Sequence, residues 1–234
     1  MKFALIIPAA GSGTRSGQHI PKQYVELLGV PVLAHTLRAF ATMKECEEIV
    51  IAIDRTWRAT AEQCADGIAH VRFVPGGEER QYSIANALRD LGGNPELVLV
   101  HDAARPCVPR AMVERVLRAA NEYGAAVPAT AITETVKRVN DDGRVTETIE
   151  RGNLRAVQTP QGFRRELLAS AYRHAALRGI VGTDDASLVE AYGARVQVVD
   201  GSLDNIKITV PEDFKRAEAI LTSWAAKEKP VRVM

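Results

Sequence analysis

Short uninterrupted runs of valine, isoleucine, leucine and alanine recur along the chain, and amphipathic segments separate them. The runs predict strands at residues 3–8, 49–53, 71–74, 97–100, 125–127 and 196–199. Continuous hydrophobicity is typical of strands that are buried on both faces of a parallel sheet. Helical periodicity predicts helices at residues 32–40, 80–91, 110–123 and 164–177, and a closing helix begins at Pro211. The alternation predicts an α/β fold with a mostly parallel, doubly wound sheet.

One segment interrupts this alternation. Residues 133–137 and 145–149 both have strand character, and the turn sequence Asn140-Asp141-Asp142-Gly143 lies between them. An isolated hairpin is marginally stable in water, so we interpret residues 131–155 as a protruding arm that packs on a partner subunit. Nothing else divides the chain, and we expect residues 1–234 to form a single catalytic domain.

The charge balance narrows the class of ligand. The 234 residues contain 30 basic and 29 acidic side chains, a net charge of +1, whereas nucleic-acid binders carry a basic excess. A small anionic ligand would therefore be held by a few basic residues gathered locally. The three cysteines include no CxxC pair, which indicates reduced thiols and a cytoplasmic protein. The sequence contains no stretch of about 18 apolar residues, so we expect no transmembrane helix.

A glycine-rich segment, AAGSGTRSG, directly follows the first predicted strand. Small residues there let backbone N–H groups approach phosphates, and the candidates are Ala9, Ala10, Gly11 and Gly13. The P-loop lysine is missing, and Ser16 stands where a dinucleotide fingerprint has its third glycine. The following loop carries Arg15 and Lys22, which suits a nucleoside triphosphate. A simple strand-to-helix turn is the alternative.

Seven blocks along nearly the whole chain resemble the 2-C-methyl-D-erythritol 4-phosphate cytidylyltransferases. They are AAGSGTR with PKQY, GGEERQYS (76–83), HDAARP (101–106), TETVKR (133–138), QTPQ (158–161), TDDAS (183–187) and DNIKIT (204–209). Each block alone is weak, but seven in the same order are specific. The resemblance implies a Rossmann-like nucleotidyltransferase fold, a homodimer joined through extended arms, and Mg²⁺ or another divalent cation.

The resemblance also implies roles for individual residues. Arg15 and Lys22 match the pair that contacts the triphosphate and the reacting phosphorus, and Lys207 completes the catalytic set. Gly77 and Ser83 match nucleoside contacts, and Asp102 matches the carboxylate linked to nucleotide and metal. The candidates for the acceptor phosphate are Arg105, Thr135, Arg151, Thr159, Thr183 and Lys207. Thr135 and Arg105 are expected to act across the dimer.

One departure lies at the acceptor end of the site. The family commonly has Asp-Arg followed closely by tryptophan before TPQ, whereas this chain has Glu150-Arg151 and then Arg155. The chemistry implied is attack by an acceptor phosphate on the α-phosphorus of CTP, which needs clustered cations but no general base. Cytidylyl transfer to ribitol 5-phosphate, another sugar-phosphate nucleotidyltransferase and a non-catalytic nucleotide-binding module are the alternatives.

Overall fold

The computed structural model describes residues 1–11 and 20–228. In these ranges the strands are β1 (Phe3–Ala9), β2 (Glu26–Leu27), β3 (Val30–Pro31), β4 (Cys46–Ile53), β5 (Val71–Pro75), β6 (Leu97–Val100), β7 (Ala125–Ala131), β8 (Val136–Val139), β9 (Val145–Ile149), β10 (Arg155–Val157), β11 (Gln161–Arg164) and β12 (Gln197–Asp200). The helices are α1 (Val32–Ala41), α2 (Arg58–Cys64), α3 (Arg80–Asp90), α4 (Arg110–Tyr123), α5 (Arg165–Arg178), α6 (Asp185–Ala191) and α7 (Pro211–Glu228). Every strand and helix that hydrophobic periodicity predicted is present.

The main sheet has the order β10-β7-β11-β6-β1-β4-β5, and β12 also pairs with β7. The pairs β1–β4, β4–β5, β1–β6 and β7–β12 are parallel. β11 lies antiparallel between β6 and β7, and β10 is antiparallel to β7. The sheet is therefore mostly parallel, as predicted. Sequence patterning missed β10 and β11 because neither contains a continuous apolar run.

Alternate residues of the central strands contribute to two cores. Phe3, Leu5 and Ile7 pack into one cluster with residues of α1 and α4. Ala4 and Ile6 point the other way and pack with residues of α3, α5 and α6. Because both faces of β1 are covered, the strand has no polar face, which explains its uninterrupted hydrophobicity. The sheet is thus doubly wound, with helices on both sides.

The predicted hairpin is present as a separate two-stranded sheet of β8 and β9. Its first strand begins at Val136, not at Thr133 as the sequence suggested. The turn sets this register: the Asn140 N–H bonds the Arg144 carbonyl, and the Arg144 N–H bonds the Asn140 side chain. This turn places Val139 opposite Val145. Both side chains are exposed, so the arm offers an apolar surface outside the main core.

The carboxyl ends of β1, β4 and β6 lie together because these neighbouring strands are parallel. Ligands of open α/β sheets collect at such an edge. In the described part of the chain, no helix is both long and apolar enough to span a membrane.

Candidate active site

A cavity of about 530 Å³ opens at the carboxyl edge of the sheet. Three strands contribute to its wall: the end of β1, Asp54 after β4, and Asp102 after β6. The turn before α3 and the three basic residues Lys22, Arg80 and Lys207 also contribute to it. Segments distant in sequence therefore meet around one space large enough for a nucleotide.

The start of the glycine-rich loop is fixed by a glutamine. Gln23 lies in a single 3-10 turn, is buried, and donates hydrogen bonds from Nε2 to the carbonyl oxygens of Ala9 (2.8 Å) and Gly11 (2.9 Å). With their carbonyls held by this amide, Ala9 and Gly11 keep a defined backbone position at the cavity wall. Lys22 precedes Gln23 and so enters the cavity from the same turn.

The turn that joins β5 to α3 approaches this loop closely. A Cβ atom on Gly76 would lie 2.1 Å from the Cβ of Ala10, which no side chain could tolerate. The Gly77 N–H donates to Ser83 Oγ at 3.0 Å, and Ser83 in turn donates to the Glu79 carbonyl at 3.1 Å. The two backbone segments are thus in direct contact, and glycine at position 76 is what allows this close approach.

The carboxylate of Asp102, in the cavity wall, is surrounded by three basic side chains. Its Oδ2 lies 2.8 Å from Lys207 Nζ and 3.5 Å from Arg105 Nε, and its Oδ1 lies 3.3 Å from Arg80 Nε. Burial alone would raise the pKa of this carboxyl, but the charges of Arg80, Lys207 and Arg105 outweigh burial and hold the pKa well below its ordinary value. Three cations surround Asp102, and Asp185 pairs with one of them, so the cluster has a net charge of +1, the sign that attracts an anionic ligand.

The three cations are held differently. The Arg80 Nη2 bonds Asp185 Oδ2 at 2.8 Å, and Arg105 Nη1 donates to the Asn205 carbonyl at 2.7 Å. Lys207 has a side chain that is 43% exposed, against 31% for Arg80 and 11% for Arg105. Two guanidinium groups are therefore anchored on protein atoms beyond Asp102, while the ammonium of Lys207 is the most accessible to a ligand.

A buried histidine, His101, is linked to the backbone of Asp102 through a chain of hydrogen bonds. Burial lowers the pKa of His101 to about 4, so its ring is neutral at pH 7. Its Nε2 lies 3.1 Å from the Arg105 carbonyl, which can only accept, so Nε2 carries the proton and Nδ1 accepts from Thr159 Oγ1 at 3.1 Å. Thr159 Oγ1 itself accepts the Asp102 N–H at 3.0 Å. This chain of bonds fixes the backbone on both sides of Asp102.

The structure brings eight of the predicted site residues into the wall of this one cavity. They are Ala9, Ala10, Gly11, Lys22, Gly77, Ser83, Asp102 and Lys207. Arg105 and Thr159 lie directly behind Asp102 and contact it. Gly13 and Arg15 lie outside the described residues.

The remaining acceptor candidates are exposed and do not line the cavity. Thr135 and Arg151 are exposed on the arm, one before β8 and the other after β9. Thr183 is exposed beside Asp184, the residue that caps α6 through a bond from the Ser187 N–H at 2.9 Å. None of the three therefore shares the cavity wall that Lys207 helps to form.

Sequence reasoning missed three residues that shape the site. Arg80 was assigned only to a helix, although it stands inside the GGEERQYS block. Gln23 follows Lys22, and Asn205 lies inside DNIKIT, where its Nδ2 donates to the Thr159 carbonyl at 2.8 Å. Each is a polar residue inside a block already singled out, which was the available signal.

The donor set for a metal ion is small. Among the described residues, no three His, Cys, Asp or Glu side chains are gathered as a metal site. Asp102 is a buried carboxylate at the cavity wall. A cation such as Mg²⁺, which keeps several waters and takes substrate phosphates as ligands, needs only one or two protein carboxylates. The residues present therefore fit a metal that arrives with a phosphate-bearing ligand.

Clustered cations beside a glycine-rich turn, at the carboxyl edge of a mostly parallel sheet, are typical of the α/β nucleotidyltransferases. The family model described as 2-C-methyl-D-erythritol 4-phosphate cytidylyltransferase matches residues 3–223. A protein with that name from Bacillus mycoides (strain KBAB4) is 48% identical over 94% of this chain and 97% of its own. The chain belongs to the 2-C-methyl-D-erythritol 4-phosphate cytidylyltransferase family.

Other relatives agree with this assignment. A family member from Geobacillus thermodenitrificans (strain NG80-2) is 43% identical over 97% of this chain and 100% of its own. The crystal structure of the Thermus thermophilus enzyme superimposes with a TM-score of 0.80 at 36% identity, covering 95% of this chain and 100% of that chain. The chain is thus similar to these enzymes over their full length, and it is a nucleotidyltransferase.

Proposed function

We propose that this protein joins CTP to 2-C-methyl-D-erythritol 4-phosphate and releases pyrophosphate. The product is 4-diphosphocytidyl-2-C-methyl-D-erythritol, an intermediate of non-mevalonate isoprenoid synthesis. The observation that carries the proposal is the cluster of Arg80, Arg105 and Lys207 around Asp102, at the mouth of a nucleotide-sized cavity. The names of relatives that match 94% and 97% of the chain support these substrates.

The reaction needs positioning and charge stabilisation more than proton transfer. An oxygen of the acceptor phosphate attacks the α-phosphorus of CTP, and the bond from that phosphorus to the bridging oxygen breaks as pyrophosphate leaves. A phosphomonoester has its second pKa near ~6 and is largely dianionic at neutral pH, so the attacking oxygen needs no base. Catalysis therefore depends on bringing two polyanions together.

The residues of the cavity divide this task. Lys207 is the accessible cation, so its ammonium can turn from Asp102 to a phosphate oxygen of the acceptor. Arg80 and Arg105 stay on their own anchors and keep Asp102 ionised when Lys207 turns away. Lys22 and Arg15 would hold the triphosphate, with backbone N–H groups of the glycine-rich turn beside them.

Asp102 would be the protein ligand of Mg²⁺ or another divalent cation. Such an ion neutralises phosphate charge and orients the triphosphate for displacement. The exposure of Lys207 would let this side chain leave Asp102 Oδ2, where the more distant Arg105 Nε, at 3.5 Å, would remain as the other cation.

The acceptor end of the site would be completed by a second subunit. The arm formed by residues 131–155 is exposed and carries Thr135 and Arg151, and its valines offer the apolar surface that a homodimer interface needs. In a dimer these residues, with Thr183 and Lys207, would receive the sugar phosphate, and Arg105 and Thr159 would support Asp102 from behind. We place the assembly in the cytoplasm.

A pyrophosphate-release assay tests the proposal. CTP, UTP and ATP are each combined with 2-C-methyl-D-erythritol 4-phosphate, with ribitol 5-phosphate, or with no acceptor, in the presence of Mg²⁺. We expect rapid release only with CTP and the erythritol phosphate. Faster pyrophosphate release with ribitol 5-phosphate would mean that this compound is the acceptor. Equal release with and without an acceptor would refute transfer of the cytidylyl group.

A further inference from the structure

Arg80 is a cation of the cavity wall that the reaction scheme has used only as a support. It begins α3, three residues after Gly77, and it lines the cavity together with Gly77 and Ser83. Its Nε faces Asp102 Oδ1 at 3.3 Å and its Nη2 bonds Asp185 Oδ2 at 2.8 Å. A guanidinium has five N–H donors, so these contacts leave others for a ligand in the cavity.

Asp185 is a completely buried carboxylate. It is the first residue of α6, and its two oxygens are divided between two partners: Oδ2 accepts from Arg80, and Oδ1 accepts from the Tyr172 hydroxyl at 2.6 Å. Burial of an ionised carboxylate is costly unless it is paired and hydrogen-bonded. Burial and the neighbouring Asp185 raise the pKa of Tyr172 far above its ordinary value, so the hydroxyl keeps its proton and donates.

These contacts form one line from α5 to the wall of the cavity. Tyr172 comes from α5, Asp185 from α6 and Arg80 from α3, all on the same side of the sheet. Each member holds the next by a short directional bond. A planar guanidinium anchored at Nη2 cannot rotate freely about its own side chain, so its direction toward the cavity is set by Asp185.

We propose that Tyr172 and Asp185 are positioning residues that hold the Arg80 guanidinium against the nucleotide side of the cavity, and that Arg80 contacts bound CTP. The proposal rests on the proposed function, since CTP is the ligand that it names. Neither Tyr172 nor Asp185 lines the cavity, so both act through Arg80.

A double-mutant cycle between Tyr172→Phe and Arg80→Met tests this line of contacts. Tyr172→Phe removes one hydroxyl and keeps the buried ring. Tyr192→Phe is the control, because Tyr192 directly follows α6 and packs on His174, whereas the side-chain oxygens of Asp185 bond Arg80 and Tyr172. The measurements are the Kd of CTP by calorimetry, kcat/KM for CTP, KM for the acceptor, and Tm.

We expect Tyr172→Phe to weaken CTP binding and to lower kcat/KM for CTP by about three- to tenfold, because the lost hydrogen bond is to a charged group. Acceptor KM should change by less than about twofold, since nothing on that side has moved. In the Arg80→Met background the same substitution should change the Kd of CTP by less than about twofold, as expected when one residue acts only through the other. Tyr192→Phe should match the wild type.

Additive effects of the two substitutions on CTP affinity would overturn the proposal, as would parallel losses for CTP and acceptor that follow a fall in Tm. If the wild type binds CTP but releases no pyrophosphate with any acceptor, the proposed function fails, and the cycle on CTP affinity still decides the role of Tyr172. Absence of CTP binding by the wild type would refute both.

Discussion

Replacement of Lys207 by methionine should separate catalysis from folding. Lys207 Nζ lies 2.8 Å from Asp102 Oδ2, and two opposite unit charges at that distance attract by about 6 kcal/mol at an effective dielectric near 20. The net contribution to stability is much smaller, roughly 1 kcal/mol or less, because the side chain is 43% exposed and solvent screens the pair. Asp102 also keeps Arg80 and Arg105 as partners.

The catalytic loss should be far larger. Removal of one preorganised donor to a developing oxyanion typically costs about 10²–10³ in kcat. We therefore expect Lys207→Met to lower kcat at least a hundredfold and to change Tm by no more than a few degrees. The assay is steady-state pyrophosphate release, with Tm measured on the same preparations.

Lys215→Met is the matched control, since Lys215 belongs to α7 and lies outside the cavity wall. It should retain wild-type kcat. A kcat for Lys207→Met within twofold of the wild type, with the fold intact, would refute the role assigned to Lys207.

Three other changes test the structure more widely. Burial holds the pKa of His101 near 4 in the folded protein, below about 6.5 in the unfolded chain, so the free energy of unfolding should fall by about 3 kcal/mol as the pH drops from 6.5 to 4. Urea midpoints measured as a function of pH should lose this contribution in His101→Gln. An unchanged pH dependence in that variant would mean that the ring is not buried in its neutral form. Asp184→Ala removes the cap of α6 and should cost about 1–2 kcal/mol in urea unfolding, whereas no loss would contradict the capping geometry. Deletion of residues 138–146 should weaken dimerisation and acceptor use together, and a fully active monomer on a sizing column would refute the arm as the interface.

The sequence predicted those parts of the fold that hydrophobic burial determines. α4 was predicted from its apolar face with the observed bounds, Arg110–Tyr123, and β6 likewise as Leu97–Val100. β11 was not predicted because its position in the sheet depends on close packing at a glycine, which leaves no hydrophobic pattern in the sequence. A Cβ on Gly162 would lie 2.7 Å from Val116 Cγ1, so this strand position needs glycine, a residue with low propensity for strands.

The candidate site was predictable where a residue directly follows a strand, as Asp102 does, or lies in a block that resembles the family, as Lys207 does in DNIKIT. Arg80 could not be assigned in this way, because its role depends on Asp185, which lies 105 residues further along the chain. Tyr172 belongs to none of the blocks and was placed only in a helix. Long-range pairing of buried polar groups leaves no local pattern in one sequence, so only the folded arrangement reveals it.

Phosphorus NMR of the reaction mixture tests most directly whether this cavity joins two phosphates. With CTP, 2-C-methyl-D-erythritol 4-phosphate and Mg²⁺, the wild type should convert the acceptor's monoester signal into the paired signals of a diphosphate diester, with one pyrophosphate released per product. An acceptor that remains a monoester while CTP is consumed, or a mixture that does not change, would contradict cytidylyl transfer by this chain.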